Sequence, residues 1–500
     1  NVEAKKHTRG LDASLRRERT RRRRRLRIEL LEARRLLATD WELLGPEIDG
    51  VAAGDWSGNT TSLSADGRTL AIGAPYNDNG GSDAGHALVY EYVTGDNKWQ
   101  PLGTEIVGEP GDQSGTSVSI NMDGQSVAIG APLNNGVRGT DSGTVRVYDY
   151  NSSDTTWVQR GNDIDGEASG DRSGTSVSLS ADGNTLAIGA PFNNNEEGDD
   201  AGHTRIHRYD SNSKTWKQIG QDLDGEAARD ESGTMVSLSD DGTRVAIGAP
   251  KNDGPNGGSS GHVRVYQYNV DTDQWIRLGL DIDGEALINM SGAAVSLSGD
   301  GSTVAIGAIL NFDNGTNAGH ARAFRYTAGA WKQLGDDIDG ENKGDLAGSS
   351  VALTPDGNRI AVGAWGNDGA QGTDSGHVRV FNYRDSDNSW VPVGTDIDGA
   401  ASRDESGSSV AFSDDGNTIS IGAISNLGNG NVTNGGSGHT RVYHFAGGNN
   451  SNTPPTLDAI TDMSIAEDAA AAAKAPADAQ GSILPLPRAA AAAAARAAAA

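Results

Sequence analysis

A tryptophan recurs seven times along this 500-residue chain at nearly constant spacing. The positions are Trp41, Trp99, Trp157, Trp216, Trp275, Trp331 and Trp390, separated by 58, 58, 59, 59, 56 and 59 residues. Each Trp opens the same unit, W-x-x-x-G-x-x-I-D-G, then S-G-x-S-V-S-L-S-x-D-G, V-A-I-G-A-P and S-G-H-V-R-V-Y-x-Y. A fixed period of this length indicates that one supersecondary unit is copied along the chain.

Each unit predicts four short β-strands. In the third repeat, residues 176–180 alternate polar and apolar side chains, and residues 185–190 follow after Asp182-Gly183, a tight-turn signal. The third strand is expected at 202–209 and the fourth at 216–223. Four antiparallel strands in about 58 residues are typical of one blade of a β-propeller.

The two ends of the repeat array predict how the fold closes. The first Trp strand, 41–48, precedes every other strand, and no such strand follows Phe445. A linear stack would leave unpaired edges at both ends, which invite aggregation. We therefore predict an all-β fold, a closed seven-bladed β-propeller with four-stranded blades, in which the N-terminal strand completes the last blade.

Composition and charge exclude several classes of function, among them thiol catalysis and nucleic-acid binding. The chain has 69 Gly, no Cys and a net charge of −27, and it contains no apolar run near the roughly 18 residues of a membrane span. Residues 1–38 carry 14 Lys+Arg against 5 Asp+Glu, whereas residues 39–445 carry 24 against 58. The absence of Cys excludes thiol catalysis and disulfides. Because a propeller with this excess of acidic residues repels phosphate backbones, we expect no nucleic-acid partner.

Four segments are expected: a basic N-terminal segment at 1–38, the propeller at 39–446, a linker with the start of a further module at 447–468, and an Ala-rich low-complexity tail at 469–500. After five consecutive arginines at 21–25, residues 31–38 read L-E-A-R-R-L-L-A. This string resembles the LEPR-XLL motif of large surface or secreted proteins of planctomycete-type bacteria, with Ala33 where the motif has Pro or Asp. A basic amphipathic helix is the alternative interpretation.

The segment after the propeller also resembles part of a known module. T-P-P-T-L-D-A-I at 453–460 and S-I-A-E-D at 464–468 are similar to the first strand of cadherin-like or immunoglobulin-like modules of bacterial surface proteins. These resemblances imply an extracellular or cell-surface location and a place in a larger multi-domain chain.

The repeat itself resembles the FG-GAP repeat, which forms the seven-bladed propeller of integrin α subunits. Ser-Gly stands where that family has Phe-Gly, at Ser57, Ser114, Ser173, Ser232, Ser291 and Ser406. Gly-Ala-Pro is intact at 73–75, 130–132, 189–191 and 248–250, while Ile309, Trp365 and Ile424 replace Pro in the last three repeats. A small Ala-x-Gly-Ala face predicts close approach of neighbouring blades. The family's calcium loop cannot be transferred, because the turn between the first two strands is too short here.

A different carboxylate pattern makes calcium a candidate ligand. Carboxylates occupy positions 1, 3, 5 and 9 of three loops between the fourth strand and the next blade. They are Asp163, Asp165, Glu167 and Asp171; Asp222, Asp224, Glu226 and Asp230; and Asp337, Asp339, Glu341 and Asp345. Calcium needs six to eight converging oxygens. The alternative is a turn whose Asp side chains cap backbone groups, because Gly stands at position 4 and the loop is no EF-hand.

Six repeated histidines and two tryptophans outside the repeat are further candidate site residues. His86, His203, His262, His320, His377 and His439 begin the third strand of six repeats, and Thr144 stands there in the remaining one. Equivalent positions in the ring lie ~10 Å apart, too far for one shared metal. We expect structural roles for these residues, and pairing of the Arg two residues on with an interblade carboxylate. Trp56 and Trp365 break the period and are a candidate ligand platform.

Two function classes follow. The first is a non-enzymatic extracellular binding or adhesion module that presents its loop face to protein or glycan ligands, with calcium as a candidate stabiliser. We favour it because a repeated residue is more often structural than catalytic. The alternative is a propeller-scaffolded hydrolase or lyase acting on extracellular polysaccharide, which needs a unique acid–base cluster.

Overall fold

The structure is a computed structural model that describes residues 40–426 and 436–446. The described residues form strands and turns only, which confirms the all-β class. They contain no helix, and so none that could cross a membrane. The segments expected at 1–38, 447–468 and 469–500 lie outside the described residues, and their assignments stay predictions.

The strands are numbered in chain order. The first seventeen are β1 (Trp41–Leu43), β2 (Ile48–Asp49), β3 (Thr60–Leu63), β4 (Thr69–Ala74), β5 (His86–Val93), β6 (Lys98–Pro101), β7 (Ile106–Val107), β8 (Ser117–Ile120), β9 (Ser126–Ala131), β10 (Thr144–Asn151), β11 (Thr156–Gln159), β12 (Ile164–Asp165), β13 (Ser176–Leu179), β14 (Thr185–Ala190), β15 (His203–Asp210), β16 (Thr215–Gln218) and β17 (Leu223–Asp224). The others are β18 (Met235–Leu238), β19 (Arg244–Ala249), β20 (His262–Asn269), β21 (Gln274–Arg277), β22 (Ile282–Asp283), β23 (Ser291–Leu297), β24 (Thr303–Ala308), β25 (His320–Thr327), β26 (Ala330–Asp339), β27 (Ser350–Leu353), β28 (Arg359–Ala364), β29 (His377–Arg384), β30 (Ser389–Pro392), β31 (Ile397–Asp398), β32 (Ser406–Phe412), β33 (Thr418–Ala423) and β34 (His439–Phe445).

These strands form seven antiparallel sheets, which are the seven blades of the predicted propeller. Blades 1 to 6 begin at β3, β8, β13, β18, β23 and β27, and blade 7 consists of β32, β33, β34, β1 and β2. In blade 3 the order from the inside outwards is β13-β14-β15-β16, and β17 also pairs with β15. The loops that enter the first strand and the third strand of a blade lie on one face of the ring, because Gly202 forms a parallel bridge with Ser232 of the next blade.

The outer strand differs from the prediction, because it is interrupted in six of the seven blades. In blade 3 the expected strand 216–223 is split into β16 and β17. Gly220 lies in the break with φ +71°, and a Cβ on it would approach within 2.5 Å of Trp275 Cδ1 of the next blade. The chain therefore leaves the sheet where the neighbouring indole packs against it.

Pairing between the two ends of the propeller confirms that the N-terminal strand closes the ring. Trp41 is opposite Phe445 and Leu43 is opposite Tyr443 in the β1–β34 ladder. Trp41 Nε1 donates to Val393 O of blade 6 at 2.9 Å. The first residues of the propeller therefore contribute to both blade 7 and its contact with blade 6.

Glycine at the blade contacts permits the close approach that the small Ala-x-Gly-Ala face predicted. A Cβ added to Gly189 would lie 1.9 Å from Gly233 O of the next blade. The same glycine in the other blades meets the corresponding carbonyl at 2.0–2.2 Å, at Gly73, Gly130, Gly248, Gly307, Gly363 and Gly422. Any side chain here would push two backbones apart.

The repeated tryptophans link the blades at the outer rim. Each indole N–H donates to a backbone carbonyl of the preceding blade, as Trp157 does to Leu102 at 2.8 Å and Trp216 to Arg160 at 2.8 Å. The other five are Trp41, Trp99, Trp275, Trp331 and Trp390. The buried apolar clusters likewise join neighbouring blades: Val145 and Ile164 of blade 2 pack with Leu186 and Ile188 of blade 3. The core is thus seven interblade layers.

Candidate functional site

The groove between blades 2 and 3 joins cationic and anionic side chains from both blades. Arg205 Nη1 lies 3.4 Å from Glu167 Oε1, and Arg205 Nη2 donates to Asp165 O at 2.7 Å. His203 Nδ1 lies 3.9 Å from Glu167 Oε2. The predicted pairing of this Arg with an interblade carboxylate is confirmed here and in three further grooves, by Arg264–Glu226, Arg322–Glu285 and Arg379–Glu341.

The four carboxylates of the first candidate calcium loop face different partners. Asp163 Oδ2 accepts from Arg146 Nε at 3.0 Å, and Asp165 Oδ1 accepts from Thr144 Oγ1 at 3.0 Å. Glu167 faces the next blade, as described above. Asp171 is buried, and its Oδ2 accepts from Ala168 N at 2.8 Å and from Asn193 Nδ2 at 3.1 Å.

The other two loops repeat this arrangement. Asp222 accepts from Gln218, Asp224 from Asn195, and Asp337 from Gln333, while Glu226 and Glu341 face arginines. Asp230 and Asp345 are buried caps of a backbone turn, and Asp339 lies 3.9 Å from His320. Among the described residues, four of the five groups with metal-ligand spacing combine a Glu of one loop with a His and an Asp of the next blade, as in Glu167, His203 and Asp222. The fifth, Glu47, Asp49 and His439, lies within blade 7. Calcium within one loop stays a prediction.

A cavity of about 310 Å³ lies in the groove between blades 2 and 3. Its walls come from β12 and the loop after it, from the loop before β10, and from β15 and β16 of blade 3. The lining residues are Val137, Arg138, Asn162, Asp163, Ile164, Asp165, Gly166, Glu167, Arg205, His207 and Trp216. Three of the carboxylates singled out from the sequence, Asp163, Asp165 and Glu167, therefore share one cavity.

Burial and charge set the protonation of two groups in this cavity. Burial raises the pKa of Glu167, and Asp222 and Asp171 add to this rise while Arg205 opposes it. Burial lowers the pKa of His207 to about 3, with Arg205 and His203 acting in the same direction. His207 therefore stays neutral at ordinary pH, whereas Glu167 keeps its proton to a higher pH than an exposed glutamate does.

The central channel offers no acid–base group among the residues that line it. Its cavity of about 310 Å³ is walled by the innermost strands, with Thr61, Ser117, Ser176, Ser350 and Ser409 among its hydroxyl side chains. The other lining residues are Asn, Thr, Ser, Val, Ala and Met. Catalysis at the axis would need a proton donor, and these walls supply none.

The two tryptophans outside the repeat lie on different blades. Trp56 is 39% exposed, has φ +57°, and meets the Tyr76 ring edge-on at a centroid distance of 4.6 Å. Trp365 is half-buried. The ligand platform that these two residues would form stays a prediction.

No family model and no curated protein matches this chain. Solved structures with a similar overall shape include a candidate 6-phosphogluconolactonase from Bacteroides uniformis, at 13% identity and a TM-score of 0.47, covering 70% of this chain and 88% of that one. Another is the periplasmic gluconolactonase of Pseudomonas aeruginosa, at 17% identity and a TM-score of 0.47, covering 69% of this chain and 86% of that one.

The prediction of a non-enzymatic binding module is wrong by this comparison, because both of these propellers are named as lactonases, which are hydrolases. A likeness at this level assigns no reaction and no residue to this chain, so the reaction has to be derived from its own side chains.

Sequence reasoning missed His207, which lines the cavity. The signal that could have found it is a break in the repeat: Tyr266 and Tyr443 occupy the equivalent position in blades 4 and 7, and Phe324 occupies it in blade 5. A non-repeated histidine among repeated aromatics marks one groove as different from the others.

Proposed function

We propose that this protein is a hydrolase that cleaves a neutral carbohydrate in the cavity between blades 2 and 3. The observation that carries this proposal is the presence of Glu167 and Asp165 in one cavity with different surroundings. Partial burial raises the pKa of Glu167, whose side chain stays 45% exposed. Two carboxyl groups whose environments differ in this way can divide the roles of acid and base.

The chain's own residues can carry out each proton transfer. Asp165 takes a proton from a water molecule that attacks the anomeric carbon, while Glu167 donates its proton to the leaving oxygen as the C–O bond breaks. The Thr144 hydroxyl binds Asp165 Oδ1 and fixes the orientation of this carboxylate. Arg205 holds both the Asp165 carbonyl and the Glu167 side chain. Arg205 thus ties the loop that carries both carboxyl groups to blade 3.

Charge favours a neutral substrate. Residues 39–445 carry 58 acidic against 24 basic side chains, which repels phosphorylated and uronate sugars. Arg205 faces Glu167 and Arg146 faces Asp163, while Arg138, which also lines the cavity, is exposed and has no ion pair among the described residues. The acidic charge of the propeller opposes the uronate substrate of a lyase, so hydrolysis is the better of the two alternatives. A volume of about 310 Å³ is at the lower end of ligand pockets and suits one or two sugar rings.

The test is a screen of neutral oligosaccharides, aryl glycosides and sugar lactones, followed by two matched variants. Glu167→Gln should lower kcat by about 100-fold or more, the usual contribution of a general acid. Glu226→Gln, at the same position in the next loop, should leave kcat unchanged. Wild-type activity should fall as pH rises through the raised pKa of Glu167, because the acid then loses its proton. Equal activity of both variants would refute the proposal.

The relationship of the repeat to a known repeat family is also part of this proposal. We propose that the repeat is related to the FG-GAP repeat, supported by the tight contact of Gly189 with Gly233, which lie in the Gly-Ala-Pro and Ser-Gly motifs. We further propose that the enzyme acts outside the cell, on extracellular polysaccharide and as part of a larger chain, supported by the acidic charge of residues 39–445 and by the resemblance of residues 453–468 to modules of bacterial surface proteins. Activity that stays in the cytosolic fraction of the producing cells would contradict the location.

Calcium in the interblade loops is a separate proposal, supported by the density of carboxylates at Asp222, Asp224 and Glu226. Ions that bind only the folded state raise the melting temperature. The melting temperature of the full chain should therefore be higher in millimolar Ca²⁺ than with chelator. An unchanged value would refute calcium binding.

A further inference from the structure

The groove between blades 4 and 5 gathers a cluster that no other described groove contains. Glu285 comes from the loop after β22, His320 begins β25, Asp313 lies in the loop before β25, and Asp337 lies in β26. One ligand atom of each of these four side chains lies within 4.8 Å of the others. The other groups of this kind in residues 40–426 and 436–446 have three members.

The histidine of this cluster is buried and aimed at the carboxylates without a hydrogen bond. His320 is 0% exposed, and neither of its ring nitrogens has a hydrogen-bond partner in the described structure. Its Nδ1 lies 3.5 Å from Asp337 Oδ2 and 3.9 Å from Glu285 Oε2. An unsatisfied buried polar group is costly, and a cation held between this nitrogen and the carboxylates would satisfy it.

Asp313 provides an independent sign that a cation belongs here. The loops before the third strand have equal length in blades 1 and 5, and Asn79 occupies the position of Asp313 in blade 1. Asn79 Nδ2 donates to Glu105 Oε2 at 3.0 Å, and Glu105 corresponds to Asp337. An aspartate in place of this amide cannot donate, so it adds negative charge where blade 1 has a hydrogen bond.

The net charge of the cluster favours a cation. Glu285, Asp313 and Asp337 contribute three negative charges, and Arg322 Nη1, at 3.2 Å from Glu285 Oε1, offsets one of them. Asn311 Nδ2 donates to Asp313 Oδ2 at 3.1 Å, which leaves the other oxygen available. With a neutral imidazole, two negative charges remain on these groups, and Asp339, whose Oδ1 lies 3.9 Å from His320 Nδ1, adds a third.

We propose that Glu285, Asp313, His320 and Asp337 form a binding site for a zinc-class divalent metal ion. One nitrogen and three oxygens are a ligand set that zinc accepts in tetrahedral geometry, whereas calcium takes oxygen ligands alone. Bonds of about 2.0–2.1 Å place tetrahedral ligand atoms ~3.4 Å apart. The distances from His320 Nδ1 to Asp337 and Glu285, 3.5 and 3.9 Å, are near this spacing, and ligand atoms up to 4.8 Å apart would move closer on binding. This site is separate from the cavity between blades 2 and 3, and the inference does not rest on the proposed hydrolysis.

In a neighbouring groove, the equivalent histidine and aspartate have hydrogen-bond partners. In blade 4, Arg264 Nε donates to His262 Nε2 at 3.2 Å, and Arg277 Nη1 binds Asp281 at 3.0 Å. Arginines fill the space around that histidine. In blade 5 the described side chains leave the imidazole nitrogens unpaired.

The test is calorimetric titration of the tag-free full chain with Zn²⁺ at neutral pH, with Ca²⁺ as the competing ion. One Zn²⁺ should bind per chain, and a tenfold excess of Ca²⁺ should not displace it. Co²⁺ should give the absorption spectrum of a tetrahedral site. Absence of a zinc isotherm, or displacement by Ca²⁺, would overturn the inference.

Two variants locate the site. Asp313→Asn restores the side chain that blade 1 carries and should fold, yet it should weaken zinc binding at least tenfold. Glu285→Gln should do the same, whereas Glu341→Gln, at the equivalent position of the loop after blade 5, should bind as the wild type does. Wild-type affinity in both Asp313→Asn and Glu285→Gln would place any bound zinc elsewhere and refute the site.

Discussion

At the scale of single residues, each repeated tryptophan combines burial with one hydrogen bond to the preceding blade. Trp157 is 8% exposed, and its indole donates to Leu102 O at 2.8 Å. The Tyr150 ring lies beside it at a centroid distance of 5.3 Å. The side chain therefore stabilises the contact between two blades as well as its own sheet.

We expect Trp157→Phe to lower the free energy of unfolding by about 1–3 kcal/mol, because the Leu102 carbonyl loses its donor. Trp157→Ala should cost about 3–5 kcal/mol, because it also leaves a cavity. Urea unfolding monitored by circular dichroism measures both. Trp56→Phe is the control and should stay within ~0.5 kcal/mol of the wild type, since Trp56 is partly exposed and makes no comparable hydrogen bond among the described residues. A Trp157→Ala variant as stable as the wild type would contradict this account.

Buried histidines make stability depend on pH. Burial lowers the pKa of His203 to about 4, and that of His207, His262 and His439 to about 3. The unfolded chain takes up these protons near pH 6.5 and the folded chain only near pH 3–4. The stability that the neutral histidines contribute is therefore complete above pH 6.5 and is lost as pH falls towards 4.

The expected result is a melting temperature that falls steadily between pH 6.5 and pH 4. His207→Tyr provides a matched comparison, because Tyr266 occupies this position in blade 4. The groups that face His207 are Arg205 and His203, both of which remain in the variant. The variant should lose less stability over this range than the wild type. A melting temperature independent of pH between 4 and 6.5 would contradict the assigned pKa values.

At the scale of strands, the sequence predicted the inner strands better than the outer ones. Residues 185–190 were expected as a strand and form β14 with the same bounds. Alternating side chains and an Asp-Gly turn are local signals, and they suffice there. The break in the outer strand at Gly220 depends on Trp275, which is distant in sequence and close only after folding. Contacts of that kind are not readable from one repeat.

The glycine of the second strand is the element-scale position that tolerates least change. Gly189→Ala should lower the free energy of unfolding by about 1–3 kcal/mol or more, because the new methyl group would lie 1.9 Å from the Gly233 carbonyl. Gly95→Ala is the control, since an added Cβ there meets nothing within 4 Å. Thermal unfolding of the two variants makes the comparison. Equal melting temperatures would contradict the close approach of the blades.

The N-terminal strands act as the closing element of the ring. A chain that begins at residue 51 lacks β1 and β2, and so exposes the β34 edge and loses Trp41 and Ile48 from the core. Its melting temperature should be on the order of 10 °C or more below that of a chain beginning at residue 39. A peptide of residues 39–50 added in trans should restore part of the loss. Identical melting temperatures would contradict closure by this strand.

At the scale of the whole molecule, the ring is repeated but not uniform. Backbone hydrogen bonds join the short turns after the innermost strands around the axis, from Ala65 N to Met122 O at 2.9 Å and from Ala181 N to Asp240 O at 2.9 Å. Pro355 has no N–H, so it cannot donate to the next turn at Asp414. Near-identical blades thus differ at individual positions, and those differences are where function has to be sought.

Only part of the candidate site could be predicted from the repeated sequence. Asp163, Asp165 and Glu167 were readable from the sequence as a loop motif, but the same motif recurs in other blades. What distinguishes this copy is the cavity with His207 and Arg205 from the next blade, and that depends on interblade packing. The fold follows from what the repeats share, whereas the site follows from where they differ.

We propose that one groove of the ring carries out hydrolysis. Its most direct test is the kcat of four variants at one repeated position, Glu167→Gln, Glu226→Gln, Glu285→Gln and Glu341→Gln, on the best substrate from the neutral-carbohydrate screen. We expect Glu167→Gln alone to lose about 100-fold or more, while the other three variants stay within a factor of about two of the wild type. Similar losses in all four variants, or none in Glu167→Gln, would contradict it.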